Sequence, residues 1–138
     1  FYPLVENVHR AGILHRTTAP APGVEADLQA RAEGYLRALM ESMGYVGVLA
    51  LELFQTDAGL LANEMAPRVH NTGHWTMDGA VTSQFENHVR AVAGQPLGVA
   101  DARGPSGMVN VIGRMPDEAE LLAVPGAKLT TKRIGRSG

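Results

Sequence analysis

The sequence predicts an α+β fold, with an antiparallel sheet and helices packed on it. Three observations predict it. Short β-branched and apolar runs flank turn signals at two places, one long stretch repeats its apolar residues with the helical period, and 45% of the 138 residues are apolar. That length fits about one domain of ordinary size and can bury a real core.

Tyr2 to His9 and Ile13 to Thr18 read as strands, and His9-Arg10-Ala11-Gly12 between them reads as a hairpin turn. Ala19-Pro-Ala-Pro-Gly23 is a breaker run. From Val24 to Met43 the apolar positions are Leu28, Ala32, Tyr35, Leu36, Leu39, Met40 and Met43. Steps of three and four place them on one helix face, and Gly44 follows where a helix end favours positive φ. Val46 to Gln55 and Leu60 to Ala66 read as two strands joined by Thr56-Asp-Ala-Gly59. Pro67 to Asp78 shows neither period and is dense in polar donors.

Ser83 with Glu86 is a capping-box signature, opening a helix that presents Phe85, Val89 and Val92 and ends at Gly94. Gly104 to Gly107 reads as a turn, Met108 to Arg114 as a strand, Asp117 to Ala123 as a short helix and Lys128 to Thr131 as a last strand.

Twelve basic against 14 acidic residues leave a formal charge of −2, so no basic field points to nucleic acid. No apolar run reaches the ~18–20 residues that span a bilayer. The absence of cysteine excludes disulfides, Fe–S clusters and Cys-ligated zinc, and agrees with a reducing, cytoplasmic setting. The chain opens on Phe1 without an initiator Met, and its tail TTKRIGRSG stops as a loop would. The expectation is a piece of a larger protein.

Two carboxylates carry the strongest chemical signal. Parity puts Val48, Ala50, Glu52 and Phe54 on one strand face, and a turn centred on residue 58 sets Glu52 opposite Glu64. Like charges directly opposed across strands repel, so the pair calls for a cation or a shared proton between them. Mg²⁺ suits it, taking one or two carboxylates and completing its shell with water and phosphates. A solvated face on which one Glu meets a Lys or Arg is the plainer alternative, since a one-residue slip removes the pairing. General acid–base work by the two acids is a third reading, but it gives no reason for the donors that follow.

Those donors are Arg68, His70, Asn71 and His74, with Trp75 as a packing anchor. Arg offers a bidentate fork for a small planar anion, while Asn and His add directional hydrogen bonds. Each can also be an ordinary loop residue. His70 and His74 lack an obvious third zinc ligand and a helix to hold them.

The runs Val48-Leu-Ala-Leu-Glu52-Leu-Phe, Asn63-Glu64-Met-Ala-Pro-Arg68-Val-His70-Asn71-Thr-Gly73-His74-Trp75-Thr-Met-Asp78-Gly79 and Thr82-Ser-Gln-Phe-Glu86 resemble the 5-(carboxyamino)imidazole ribonucleotide synthetases, ATP-grasp ligases of purine synthesis. The opening Phe1 to His9 is also similar, and the resemblance extends to about Leu129. It implies a C-terminal half of an ATP-grasp domain over 1–98 and a small β-rich C-terminal domain over 99–138, incomplete at its end. It further implies that ATP phosphorylates bicarbonate to carboxyphosphate, which carboxylates the amine of 5-aminoimidazole ribonucleotide. By the resemblance Glu52 and Glu64 bind Mg²⁺, and His9, Asn63 and Glu64 line the nucleotide site. Arg68, His70 and Asn71 then position bicarbonate or carboxyphosphate and the amine.

The family's end carries Tyr-Gly-Lys and Gly-Arg-Lys-Met-Gly-His stretches that hold the ribonucleotide phosphate. Here Lys132 and Arg136 are the nearest counterparts, more closely spaced and without the rest. The family also implies a cytoplasmic homodimer with no nucleic-acid or membrane partner. The formate-dependent glycinamide ribonucleotide transformylases share the strand pair and a Pro-Arg-x-His motif, but Asn71-Thr-Gly-His74-Trp75 favours the carboxylating enzymes. Biotin carboxylases have Asn two residues after the second Glu, where Ala66 stands here. A non-catalytic remnant, kept for folding and subunit contacts, is the alternative outside enzymology.

Overall fold

The structure, a computed structural model, describes residues 1–130. Among them, β1 (Glu6–Arg10), β2 (Ile13–Ala19) and β5 (Ser106–Val109) form one antiparallel sheet in the order β1-β2-β5. Strands β3 (Ala50–Thr56) and β4 (Gly59–Ala66) form a separate antiparallel hairpin. Helix α1 (Ala26–Met43) runs between the two sheets in sequence. Two short helices, α2 (Thr76–Gly79) and α3 (Gln84–Val92), follow the hairpin, and α4 (Glu118–Leu122) lies near the end.

The expected α1 is found, and Gly44 closes it in the left-handed conformation at φ 57°, its N–H reaching back to Glu41. A side chain there would strain the backbone. Strand β1 is shorter than the expected Tyr2–His9. Residues 2–5 instead form an arm held by side chains: Gln29 of α1 accepts from the Leu4 N–H at 2.8 Å, and the Tyr2 hydroxyl donates to the Thr82 carbonyl at 2.9 Å. Strand β3 likewise begins at Ala50 and not Val46, because the Val48 N–H is taken by His88 Nδ1 at 3.0 Å.

The tail differs most. Ser106 and Gly107, expected in a turn, pair with Ala19 and Thr18, so β5 starts earlier and ends at Val109. Residues 128–130 form no strand, and Lys128 pairs with Asp78. The rest of that expected strand, Thr131, lies outside the described residues.

The core centres on Ala19, Trp75 and Ala80, with Tyr2, Val5, Ala102 and Met108 packed against it. Trp75, 5% exposed, meets the Tyr2 ring edge-on at 6.4 Å between centroids, a favoured aromatic geometry. This joins the β1-β2-β5 sheet to the segment after β4, and so fixes where that segment leaves the hairpin. Among the described residues no helix is long and apolar enough to cross a membrane.

Candidate functional site

The β3–β4 tip is Asp57-Ala58, with Thr56 paired to Gly59. Counted back from that tip, an unbroken ladder would set Asn63 opposite Glu52 and turn Glu64 to the other face. The register slips by one residue between Glu52 and Leu53, leaving Asn63 without a ladder partner and Glu64 directly across from Glu52. The expected pairing is therefore present, but by a different route. The turn sits half a residue earlier than a centre on residue 58, and a bulge at Asn63 restores the count. Bulges re-aim side chains in this way. The Asn63 amide donates to Glu52 Oε2 at 3.3 Å.

His70 completes the group. Its Nδ1 lies 3.9 Å from Glu52 Oε1 and its Nε2 3.9 Å from Glu64 Oε1, so one imidazole stands between two carboxylates. The His70 and Glu52 side chains are 11% and 13% exposed, whereas Glu64 is 55% exposed. His70 Nδ1 is also 2.9 Å from the hydroxyl of Thr72, the buried residue of the 3-10 turn Asn71–Gly73. The acids thus sit at a boundary, one sheltered and held, the other facing out. Two hard oxygen donors with open positions fit Mg²⁺, which keeps several places for water and phosphate. Among the described residues no group of three or more His, Asp or Glu is placed to hold a metal ion by itself, so water and phosphate would have to complete the shell.

Arg68 and Asn71 flank this group in sequence. Arg68 is exposed, with its guanidinium folded onto the Val69 carbonyl at 3.1 Å. Asn71 is half-buried and starts the 3-10 turn, its carbonyl accepting from the His74 N–H at 3.1 Å. His9 is exposed on β1, in the other sheet. Lys132 and Arg136 lie outside the described residues.

Helix α3 buries its polar side and leaves its apolar residues outward. Ser83 caps it as its sequence predicts, accepting from the Glu86 N–H at 3.2 Å. Yet Val89 and Val92 are 66% and 65% exposed, and the buried residues are Gln84 and Asn87. The polar side turns inward because both amides find hydrogen-bond partners there. Asn87 joins the Tyr2 hydroxyl to both polar groups of Gly98, and Gln84 joins the segment carrying His70. Sequence reasoning missed Gln84 and Thr76. Their only visible signal was their place beside a capped helix start and a donor-rich loop. The turns at 71–73 and 76–79 were missed too, being too short to show a period.

The sequence matches the family model of the ATP-grasp domain over residues 1–85. It is 53% identical over 129 residues to the N5-carboxyaminoimidazole ribonucleotide synthase of Pseudomonas aeruginosa, covering 94% of this chain and 35% of that protein. The crystal structure of N5-carboxyaminoimidazole ribonucleotide synthetase from Thermus thermophilus superimposes with a TM-score of 0.90 at 62% identity, over 91% of this chain and 35% of that one. The Aspergillus clavatus N5-carboxyaminoimidazole synthase in complex with ADP and 5-aminoimidazole ribonucleotide gives 0.77 at 33% identity, over 88% and 34% of the two chains. The chain thus spans about a third of the length of the curated relatives it matches. With its match spanning more than half of the sequence, the chain belongs to the ATP-grasp domain family.

Proposed function

We propose that the whole protein carrying this chain carboxylates 5-aminoimidazole ribonucleotide with bicarbonate at the expense of ATP. In this reaction a bicarbonate oxygen attacks the γ-phosphorus and ADP leaves, giving carboxyphosphate. The substrate amine then forms a bond to the carboxyphosphate carbon, the bond from that carbon to the phosphate oxygen breaks, and the amine loses a proton. One observation carries the reading: Glu52 and Glu64 are directly paired with His70 between them, immediately before Asn71 and after Arg68. The names of the similar proteins support it.

Glu52 and Glu64 would hold Mg²⁺, which when bound supplies charge neutralisation for the ATP phosphates. Asn63 keeps Glu52 oriented through its amide, and it is a nucleotide residue by the resemblance. His9 is a nucleotide residue by resemblance alone. Arg68, released from the Val69 carbonyl, offers two parallel N–H donors to bicarbonate or to carboxyphosphate. His70 and Asn71 orient that anion toward the amine, and Lys132 and Arg136 are candidates for the ribonucleotide phosphate. By the same resemblance the protein is a cytoplasmic homodimer.

The test is ADP release by the whole protein given ATP, Mg²⁺ and 5-aminoimidazole ribonucleotide, with and without bicarbonate. Bicarbonate-dependent release is expected. It should fall by about 100-fold or more in Glu64→Gln, while Arg68→Ala should raise the bicarbonate requirement. Release that ignores bicarbonate, or that needs formate and glycinamide ribonucleotide, overturns the reading.

A further inference from the structure

His70 is an extended residue, φ −128° and ψ 152°, so its N–H and C=O project to the same side. Both meet one side chain. The His70 N–H donates to Gln84 Oε1 at 3.0 Å, and Gln84 Nε2 donates to the His70 carbonyl at 2.8 Å. The glutamine amide therefore does for His70 what a neighbouring strand would do. His74 adds to the knot, its Nδ1 lying 2.9 Å from the His70 carbonyl and 3.0 Å from Gln84 Nε2. That ring nitrogen either donates to the first or accepts from the second.

Gln84 is itself immobilised. It is 3% exposed, and its backbone N–H donates to the Thr76 hydroxyl at 2.9 Å, which in turn donates to the Gly73 carbonyl at 2.6 Å. Gly73 leaves room for it: a Cβ at residue 73 would stand 2.5 Å from Gln84 Oε1. An amide buried at a helix start, satisfied at both ends by one loop residue, holds that residue more than it holds the helix.

We propose that Gln84 is a positioning residue for the carboxylation site, its amide fixing the His70 backbone so that the imidazole stays between Glu52 and Glu64. Buried at 3% exposure and bonded to the His70 backbone, it acts through His70. The inference rests on the carboxylase reading for its kinetic consequence, but not for its geometric one.

The experiment uses the whole protein, labelled with ¹⁵N-histidine, in two variants. Gln84→Leu removes both hydrogen bonds, and Gly73→Ala keeps every Gln84 atom but pushes the amide off His70. In each, the His70 amide resonance should move and the KM for bicarbonate should rise about 10–100-fold, the usual cost of losing a supporting hydrogen bond behind a site residue. The KM for ATP should stay unchanged. Loss of folded protein alone lowers the apparent kcat and leaves KM in place, so a raised KM separates positioning from unfolding. A His70 amide left in place, or a bicarbonate KM left unchanged although that amide moves, overturns the proposal. Should Gln84→Leu fail to fold, Gly73→Ala decides by the same two readouts. If the unsubstituted protein shows no bicarbonate-dependent turnover, the carboxylase reading fails separately. The His70 resonance then decides the positioning claim, displacement supporting it and retention sinking it.

Discussion

Glu64→Gln exchanges one of two opposed carboxylates for a neutral amide of the same shape. Direct cross-strand repulsion between like charges costs about 0.2–1 kcal/mol. The Glu64 side chain is 55% exposed, and solvent screening places the cost in the lower half of that range, about 0.2–0.5 kcal/mol. Over the 138 residues of this chain taken as one unfolding unit, 1 kcal/mol corresponds to about 3–4 °C in Tm. Without divalent cation the variant should therefore melt about 1–2 °C higher than the unsubstituted protein. A cation bound at a hundredfold excess over its Kd stabilises by about 2.7 kcal/mol, so with Mg²⁺ and ATP the order should invert. Calorimetric melts in EDTA and in Mg²⁺-ATP read both signs. The repulsive part should also shrink in about 1 M salt, where the Debye length is about 3 Å. A variant no more stable than the parent in EDTA refutes the repulsion. Equal gains with Mg²⁺-ATP refute the metal role.

Two further outcomes follow from the fold. Trp75→Ala empties the middle of the core, where Trp75 is 5% exposed. It should cost about 3–5 kcal/mol and be visible as a Tm drop of about 10–20 °C. Burial raises the pKa of Tyr2 above the ordinary 10, against the lowering effect of its hydrogen bond from Asn87 and with a small addition from the Glu86 charge. The folded state thus prefers the neutral phenol. The resulting stability is present below pH 10 and fades as the pH climbs through the raised folded value. Urea melts across the alkaline range should show that loss in the parent and a smaller one in Tyr2→Phe.

The strand pair was legible in the sequence because its two carriers of information are local. Turn composition at 56–59 fixes the hairpin, and parity along Val48 to Phe54 fixes the face. The bulge at Asn63 was not legible, since no composition marks an extra residue inside a strand that reads smoothly on both sides. Helix α1 and its Gly44 end were legible for the same local reason, as was the Ser83 cap. The facing of α3 was not. The period of Phe85, Val89 and Val92 records where apolar side chains fall, whereas Gln84 and Asn87 are buried by backbone partners from residues 70 and 98. Such long-range partners leave no trace in the periodicity of the helix they bury. The strand ends erred similarly: Val48 gives its N–H to His88, forty residues away. Position within the site, and Gln84 above all, is tertiary information.

Mn²⁺ binding in the presence of ATP, followed by electron paramagnetic resonance on the whole protein, interrogates the paired acids most directly, since Mn²⁺ shares the oxygen preference of Mg²⁺. Glu52→Gln and Glu64→Gln should each weaken that binding by about tenfold or more, and Asp57→Asn, at the exposed tip of the same hairpin, should leave it unaltered. Affinity that is indifferent to both glutamates, or that responds to Asp57 equally, means that the hairpin does not hold the ion.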